Sequence, residues 1–288
     1  MTSPARGIVP KPIARLFQNW DHVAEQLHAH LRGVGRVAIF LDFDGTLVDI
    51  APRPELVRMK QAARVILQRL ARNPRVSIFI ISGRRREELL QQIRVRGIGY
   101  FGLYGWESGT SSALPLSART ELQRARRQLE HHLRAYPAAW IEDKASSLSL
   151  HLLDVPGEQQ PRIRRELRGW VRPFRKSLRA VENLRDIEIL PRSILGKGAA
   201  VRRILAEPSL RGAFPFYFGD DLSDESGFAA VKRGVSVHVG SGRETRARYS
   251  VRTPAEVTAA LGKLETILSE KAPKPISEPQ KRSRRQEV

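Results

Sequence analysis

Two kinds of apolar pattern alternate along this chain. Residues 37–41 (VAIFL) and 76–81 (VSIFII) are apolar at nearly every position, as in strands covered on both faces of a parallel sheet. Residues 59–71 and 85–95 instead repeat apolar side chains every three or four positions, which predicts amphipathic helices. A short strand is expected at 99–103. The alternation returns later, with a helix at 198–206, a strand at 216–218, a helix at 224–232 and a strand at 235–239. Strand and helix in turn predict an α/β fold, a doubly wound parallel sheet.

Two stretches depart from this rhythm. From 13 to 31, Ile13, Leu16, Phe17, Trp20, Val23, Leu27 and Leu31 recur at helical spacing, which predicts one amphipathic helix. In the middle, a long helix at 117–136 precedes strand-like pieces at 138–142 and 147–153, a helix at 158–171 and a strand pair at 178–182 and 186–190. This reads as a smaller α+β domain inserted into the first. The expected division is an arm and helix (1–33, with 1–12 unpacked), core (34–109), insert (110–190), core again (191–266) and a basic tail (267–288). The tail is rich in Pro, Ser and charge, and disorder is expected there. No internal repeat is found.

Composition narrows the class without naming a function. At 288 residues, 41 % hydrophobic and 28 % charged, the chain can bury a sizeable core. It has no cysteine, which removes disulfides and thiolate metal sites and fits a cytoplasmic location. No apolar run approaches the roughly 20 residues of a membrane span, and the N-terminus lacks the apolar segment of a secretory signal. Fifty Lys and Arg against thirty Asp and Glu give a formal charge of +20, which favours anionic partners, among them nucleic acid and phosphorylated metabolites. Aromatics are 7 % and form no recognisable nucleic-acid motif with the basic residues, so no nucleic-acid partner is expected.

The acids sit where a doubly wound sheet binds ligands, outside the carboxyl ends of its strands. Asp42-Phe43-Asp44-Gly45-Thr46 follows the first buried strand. Two carboxylates so placed repel unless a cation or a shared proton compensates them, and Mg2+ suits hard oxygen ligands. A carboxylate can also attack phosphorus and divide one displacement into two. As a plain strand-to-loop turn the same residues would be unremarkable. Gly219-Asp220-Asp221-Leu222-Ser223-Asp224-Glu225 places four acids within six residues after another strand; Asp220 and Asp221 can complete a metal shell, and Asp224 and Glu225 suit a helix start. Ser82-Gly83-Arg84 offers a hydroxyl and backbone N–H groups to a phosphate, and Lys197 before a helix offers a point charge.

In this order the four motifs resemble those of the haloacid-dehalogenase-like phosphatase superfamily. The resemblance implies Asp42 as nucleophile, Asp44 as general acid/base, Ser82 and Lys197 on the phosphoryl group, and Mg2+ held by Asp42, the backbone carbonyl of Asp44, and Asp220, with Asp221 beside it. The insert becomes a cap that selects substrate. More finely, residues 36–262 resemble the trehalose-6-phosphate phosphatase family: Ala51-Pro52-Arg53-Pro54 after the first block, Glu142-Asp143-Lys144…Ser149-Leu150-His151 in the cap, and Glu188-Ile189-Leu190-Pro191…Gly196-Lys197-Gly198. That implies a sugar phosphate bound by Gly83, Arg84, Lys144, His151, Glu188 and Asp224. The chain departs from the pattern at Tyr104, where a histidine is common, at Leu152, where a tyrosine or arginine is usual, and at Leu190, where a basic residue is common.

These departures fall on substrate-reading positions and leave open a phosphatase for sucrose, glucosylglycerol or mannosylglycerate phosphate. A catalytically dead regulator is disfavoured, because all four motif positions hold competent residues. Oligomeric state is not legible, and the N-terminal helix is left with three roles: packing on the core, self-association, or docking a trehalose-6-phosphate synthase.

Overall fold

A computed structural model describes residues 13–270, apart from 34, 52, 110–113, 184–185 and 242–243. The arm at 1–12 and the tail from 271 lie outside the described residues. Two sheets organise the chain. The larger is parallel and seven-stranded, in the order β1 (Ala14–Arg15), β11 (Tyr249–Val251), β10 (Val235–Val239), β9 (Phe214–Gly219), β2 (Val37–Leu41), β3 (Val76–Ile81) and β4 (Gly99–Phe101). Every residue of β2 is buried, as its unbroken apolar run requires. Leu41 stands in register with Phe218 on one side and Ile80 on the other, so the residues after β2, β3 and β9 meet at one edge. That edge is the switch point where the strand order reverses, and the acids lie there.

Helices α1 (Trp20–Leu31), α2 (Gln61–Ala71), α3 (Arg86–Ile93), α6 (Lys197–Leu205), α7 (Glu225–Ala230) and α8 (Pro254–Ser269) accompany this sheet. The helix expected over 13–31 begins later. Ala14 and Arg15 pair with Tyr249 and Ser250 as an edge strand, Leu16 N–H donates to Ser250 O at 3.0 Å, and Phe17–Asn19 is a single tight turn. An open sheet edge supplies the backbone hydrogen bonds that a local helix would otherwise supply. Of the three roles left open for α1, packing is the one observed: Val23, Leu27 and Leu31 are buried in the main core. Neither β11 nor α8 was among the expected elements. Thr253 caps α8, accepting from Glu256 N–H at 3.3 Å, and Pro254 opens its first turn.

The second sheet is antiparallel, in the order β5 (Trp140–Asp143), β6 (Leu148–His151), β8 (Asp186–Pro191) and β7 (Leu178–Glu182). Helices α4 (Leu116–Leu133) and α5 (Gln160–Val171) cover one face with Leu122, Leu129, Ile163 and Leu167 against Leu150, Ile187 and Ile189. All six elements fall between β4 and β9 in the chain. The other face of this sheet, the cap sheet, is polar and looks across a cleft at the ends of β2 and β3. Among the described residues no helix is long and apolar enough to cross a membrane.

Candidate active site

The floor of the cleft is built by loops leaving β2, β3 and β9. Asp42 is the first residue after β2, and its N–H donates to Phe218 O at 3.0 Å, which continues the sheet into the site. Gly45 is in the left-handed region at φ 79°, and a side chain there would run into the Asp220 carboxylate, so the turn after Asp44 needs glycine. Asp42, Asp220 and Asp224 each offer a carboxylate oxygen, and these oxygens lie within 4.8 Å of one another. Lys197, at the start of α6, places Nζ 2.8 Å from Asp42 Oδ1 and 2.7 Å from Asp224 Oδ1. Thr46 Oγ1 donates to Asp220 Oδ1 at 3.3 Å.

Three buried carboxylates thus face one ammonium, and the electrostatics follow. Burial pushes the Asp42 carboxyl up to about 7, against the pull of Lys197 and with a further push from Asp224. Asp220 is raised well above the usual carboxylate range by burial and then by Asp42, Asp224 and Asp221. Burial alone would lower Lys197, but Asp224 and Asp42 outweigh it and keep the ammonium charged. Hard oxygen donors carrying surplus negative charge fit a divalent cation such as Mg2+. Asp42 and Asp220, which line the cleft, are the side chains that would hold it.

The remaining expected site residues divide in two. Asp44 is gripped by Arg84, whose Nε and a terminal nitrogen each donate at 2.7 Å to its two oxygens. Ser82 Oγ accepts from Arg84 N–H at 3.2 Å, and Gly83 lies so close to Tyr104 that a Cβ would press on the phenol. All four line the cleft. Asp224, expected against the substrate, instead lies beneath the floor at 0 % exposure, with Oδ1 shared by Lys197 and the Tyr217 hydroxyl (2.7 Å) and Oδ2 accepting from Asp221 N–H (3.0 Å). It positions the lysine and does not reach the cleft. Asp221, expected beside the metal, is outside the carboxylate cluster; its Oδ1 accepts from Leu222 N–H at 2.6 Å, which caps the following turn.

The wall opposite is the polar face of the cap sheet. Lys144 Nζ lies 2.6 Å from Glu188 Oε1, both buried, and 3.9 Å from Glu142 Oε2. Burial opposes the charge on Lys144, but Glu188 and Glu142 hold the ammonium protonated; burial raises Glu188. Glu188 Oε2 and the Ser147 hydroxyl are both buried, and a hydrogen bond from Ser147 favours the Glu188 carboxylate. His151 Nε2 is 2.8 Å from Glu142 Oε2. Asn183 Nδ2 donates to the Tyr104 hydroxyl at 3.0 Å and to Asp186 Oδ1 at 2.8 Å, tying the cap to the core. Trp140, Glu142, Asn183, Asp186 and Tyr217 carry this arrangement and were not among the expected site residues. The signal for the first two was present: 140, 142 and 144 alternate, which puts them on one strand face with Lys144.

Two of the three sequence departures do not line the cleft. Leu190 packs with Tyr104 and Ile194, and Leu152 lies in the cap core. Tyr104 alone faces the cleft, held by left-handed backbone at Leu103 (φ 45°) and Tyr104 (φ 58°).

A parallel core with this switch-point floor and an antiparallel cap defines a class of hydrolase. A phosphatase of the haloalkanoate dehalogenase superfamily from Bacteroides thetaiotaomicron shares the fold at TM-score 0.54 and 16 % identity, covering 82 % of this chain and 97 % of its own. The C-terminal domain of Candida albicans trehalose-6-phosphate phosphatase is more similar, at TM-score 0.75 and 22 % identity over 88 % of this chain and 98 % of that one. The trehalose-phosphatase family model matches residues 40–257, and the chain belongs to that family. A trehalose-phosphate phosphatase of Mycobacterium marinum is 31 % identical over 250 residues; these are 82 % of this chain but 63 % of the length of that relative.

Proposed function

We propose that this protein hydrolyses the phosphate ester of trehalose 6-phosphate, with Asp42 as nucleophile and Mg2+ as cofactor. The observation that carries the reading is the convergence of Asp42, Asp220 and Lys197 at the floor of a cleft whose other wall is a buried Lys144–Glu188 pair. Asp42 Oδ2 attacks phosphorus, the bond from phosphorus to the sugar oxygen breaks, and Asp44 gives that oxygen its proton. Water then attacks the aspartyl phosphate, Asp44 takes the proton, and phosphate leaves with Asp42 restored. Lys197 and the Ser82 hydroxyl neutralise the transferring oxygens. The metal, when bound, supplies positive charge against the same oxygens.

Arg84 holds Asp44 by two hydrogen bonds and so fixes the carboxyl that exchanges a proton with the leaving sugar oxygen and with water. On the cap, Glu142, Lys144 and His151 line the cleft with polar groups that suit sugar hydroxyls. The test is phosphate release from trehalose 6-phosphate with and without Mg2+, for the native protein and Asp42→Asn. Release that needs the ion and disappears in the variant supports the reading; turnover by Asp42→Asn removes the mechanism.

A further inference from the structure

The cleft is charged at its floor and apolar at its mouth. Ile50 (38 % exposed), Trp140 (41 %) and Leu153 (46 %) are all large hydrophobic side chains left open to solvent, and all three line it. Single exposed hydrophobics are ordinary, but a group gathered at one cleft marks a surface that a ligand covers. Ile50 comes from the core loop after Asp44, the other two from the cap, so both sides of the mouth contribute.

Trp140 is the best-defined of the three. It sits directly across from His151 on the neighbouring strand, and the two rings stack with centroids 3.9 Å apart and planes 14° from parallel. His151 is itself fixed by Glu142 at 2.8 Å. The indole is therefore pinned before any ligand arrives, so little ordering remains to be done on binding. We infer that Trp140, with Leu153 and Ile50, forms a subsite for the C–H face of the substrate's second sugar ring, the one remote from the phosphate.

This rests on the trehalose 6-phosphate reading above and adds to it the side chains that hold the second ring. A pyranose carries hydroxyls round its edge and C–H groups on its faces. The edge suits Glu142, Lys144 and Glu188; the face suits the electron-rich plane of an indole. A wholly apolar occupant would strip water from the neighbouring Glu142–His151 pair without compensating hydrogen bonds, which costs free energy. With the phosphoryl group fixed at Asp42 and Lys197, a second ring supplies atoms for the mouth.

The test compares native protein, Trp140→Ala and Trp140→Phe in one assay, reading KM for trehalose 6-phosphate and inhibition by orthovanadate, a phosphate mimic that needs only the floor. Trp140→Ala should raise KM about tenfold, the effect of losing one good ring contact, while vanadate inhibition stays as in the native protein. Trp140→Phe should restore most of the loss. An unchanged KM, or a vanadate inhibition weakened in parallel, would overturn the subsite, the second because Trp140 would then be supporting the floor through His151. If the native protein is inactive on trehalose 6-phosphate, the proposed function falls and the subsite falls with it; hydrolysis indifferent to Trp140→Ala removes the subsite alone.

Discussion

Both walls of the cleft bury charge, yet they bury it differently. The core floor holds Asp42, Asp220 and Asp224 against Lys197, a surplus of negative charge that no described residue cancels. The cap wall holds Lys144 and Glu188 as a matched pair. A buried charge left over asks for an ion, and a matched pair does not. On the proposed function the floor serves the chemistry and the wall the recognition of the sugar.

The sharpest break is at the floor. Asp42→Asn removes the attacking oxygen and should lower phosphate release by roughly 10^4-fold or more, as loss of a nucleophile does. Its affinity for trehalose, read by calorimetry, should hardly change, since the wall is untouched; a large loss would show that floor and wall are one unit. Next comes Lys197→Met, which strands Asp42 and Asp224 in a buried setting. Removing one partner of a buried ion pair costs about 3–5 kcal/mol, a fall in melting temperature on the order of 10 °C. A fall of only a degree or two would mean that the carboxylates already share a proton.

On the wall, Glu188→Gln takes the partner charge from the buried Lys144 and should raise KM for trehalose 6-phosphate by about 10- to 100-fold. Vanadate inhibition should be unaffected, and its loss would contradict the division of labour. The mildest effect concerns pH. Asp42 is raised from 3.8 to about 7, so the folded, metal-free chain binds this proton more tightly than the unfolded one. Its contribution to stability is full at low pH and is lost as pH rises through about 7. Mg2+ binds the ionised form, so its stabilisation should be larger at about pH 8 than at about pH 6, by a few degrees of melting temperature. A pH-independent increment would place the ion elsewhere.

Much of the floor was legible in the sequence because each element announces itself locally. A buried apolar strand followed by polar residues reads directly, and β2, β3 and β9 follow that form with Asp42, Ser82 and Asp220. What local pattern cannot supply is the partner across the sheet. Ala14–Arg15 looks helical because its apolar spacing is helical, and only the distant β11 edge makes it a strand. Asp224 and Asp221 were readable as acids near the site, but their directions depend on Lys197, Tyr217 and the turn at Leu222. Trp140 alternates with Glu142 and Lys144, yet an aromatic at a strand start resembles core until the cap sheet shows which face is open.

The chain reaches the catalytic lysine by way of the cap. β8, which carries Glu188, ends at Pro191, and only the residues up to Gly196 separate it from Lys197. Gly196 stands at φ 94°, a torsion that other residues resist, and Ile194 before it is anchored by its carbonyl to Arg179. Residues 192–196 are therefore a short tether, and they limit how far Lys197 can stand from the strand that carries Glu188.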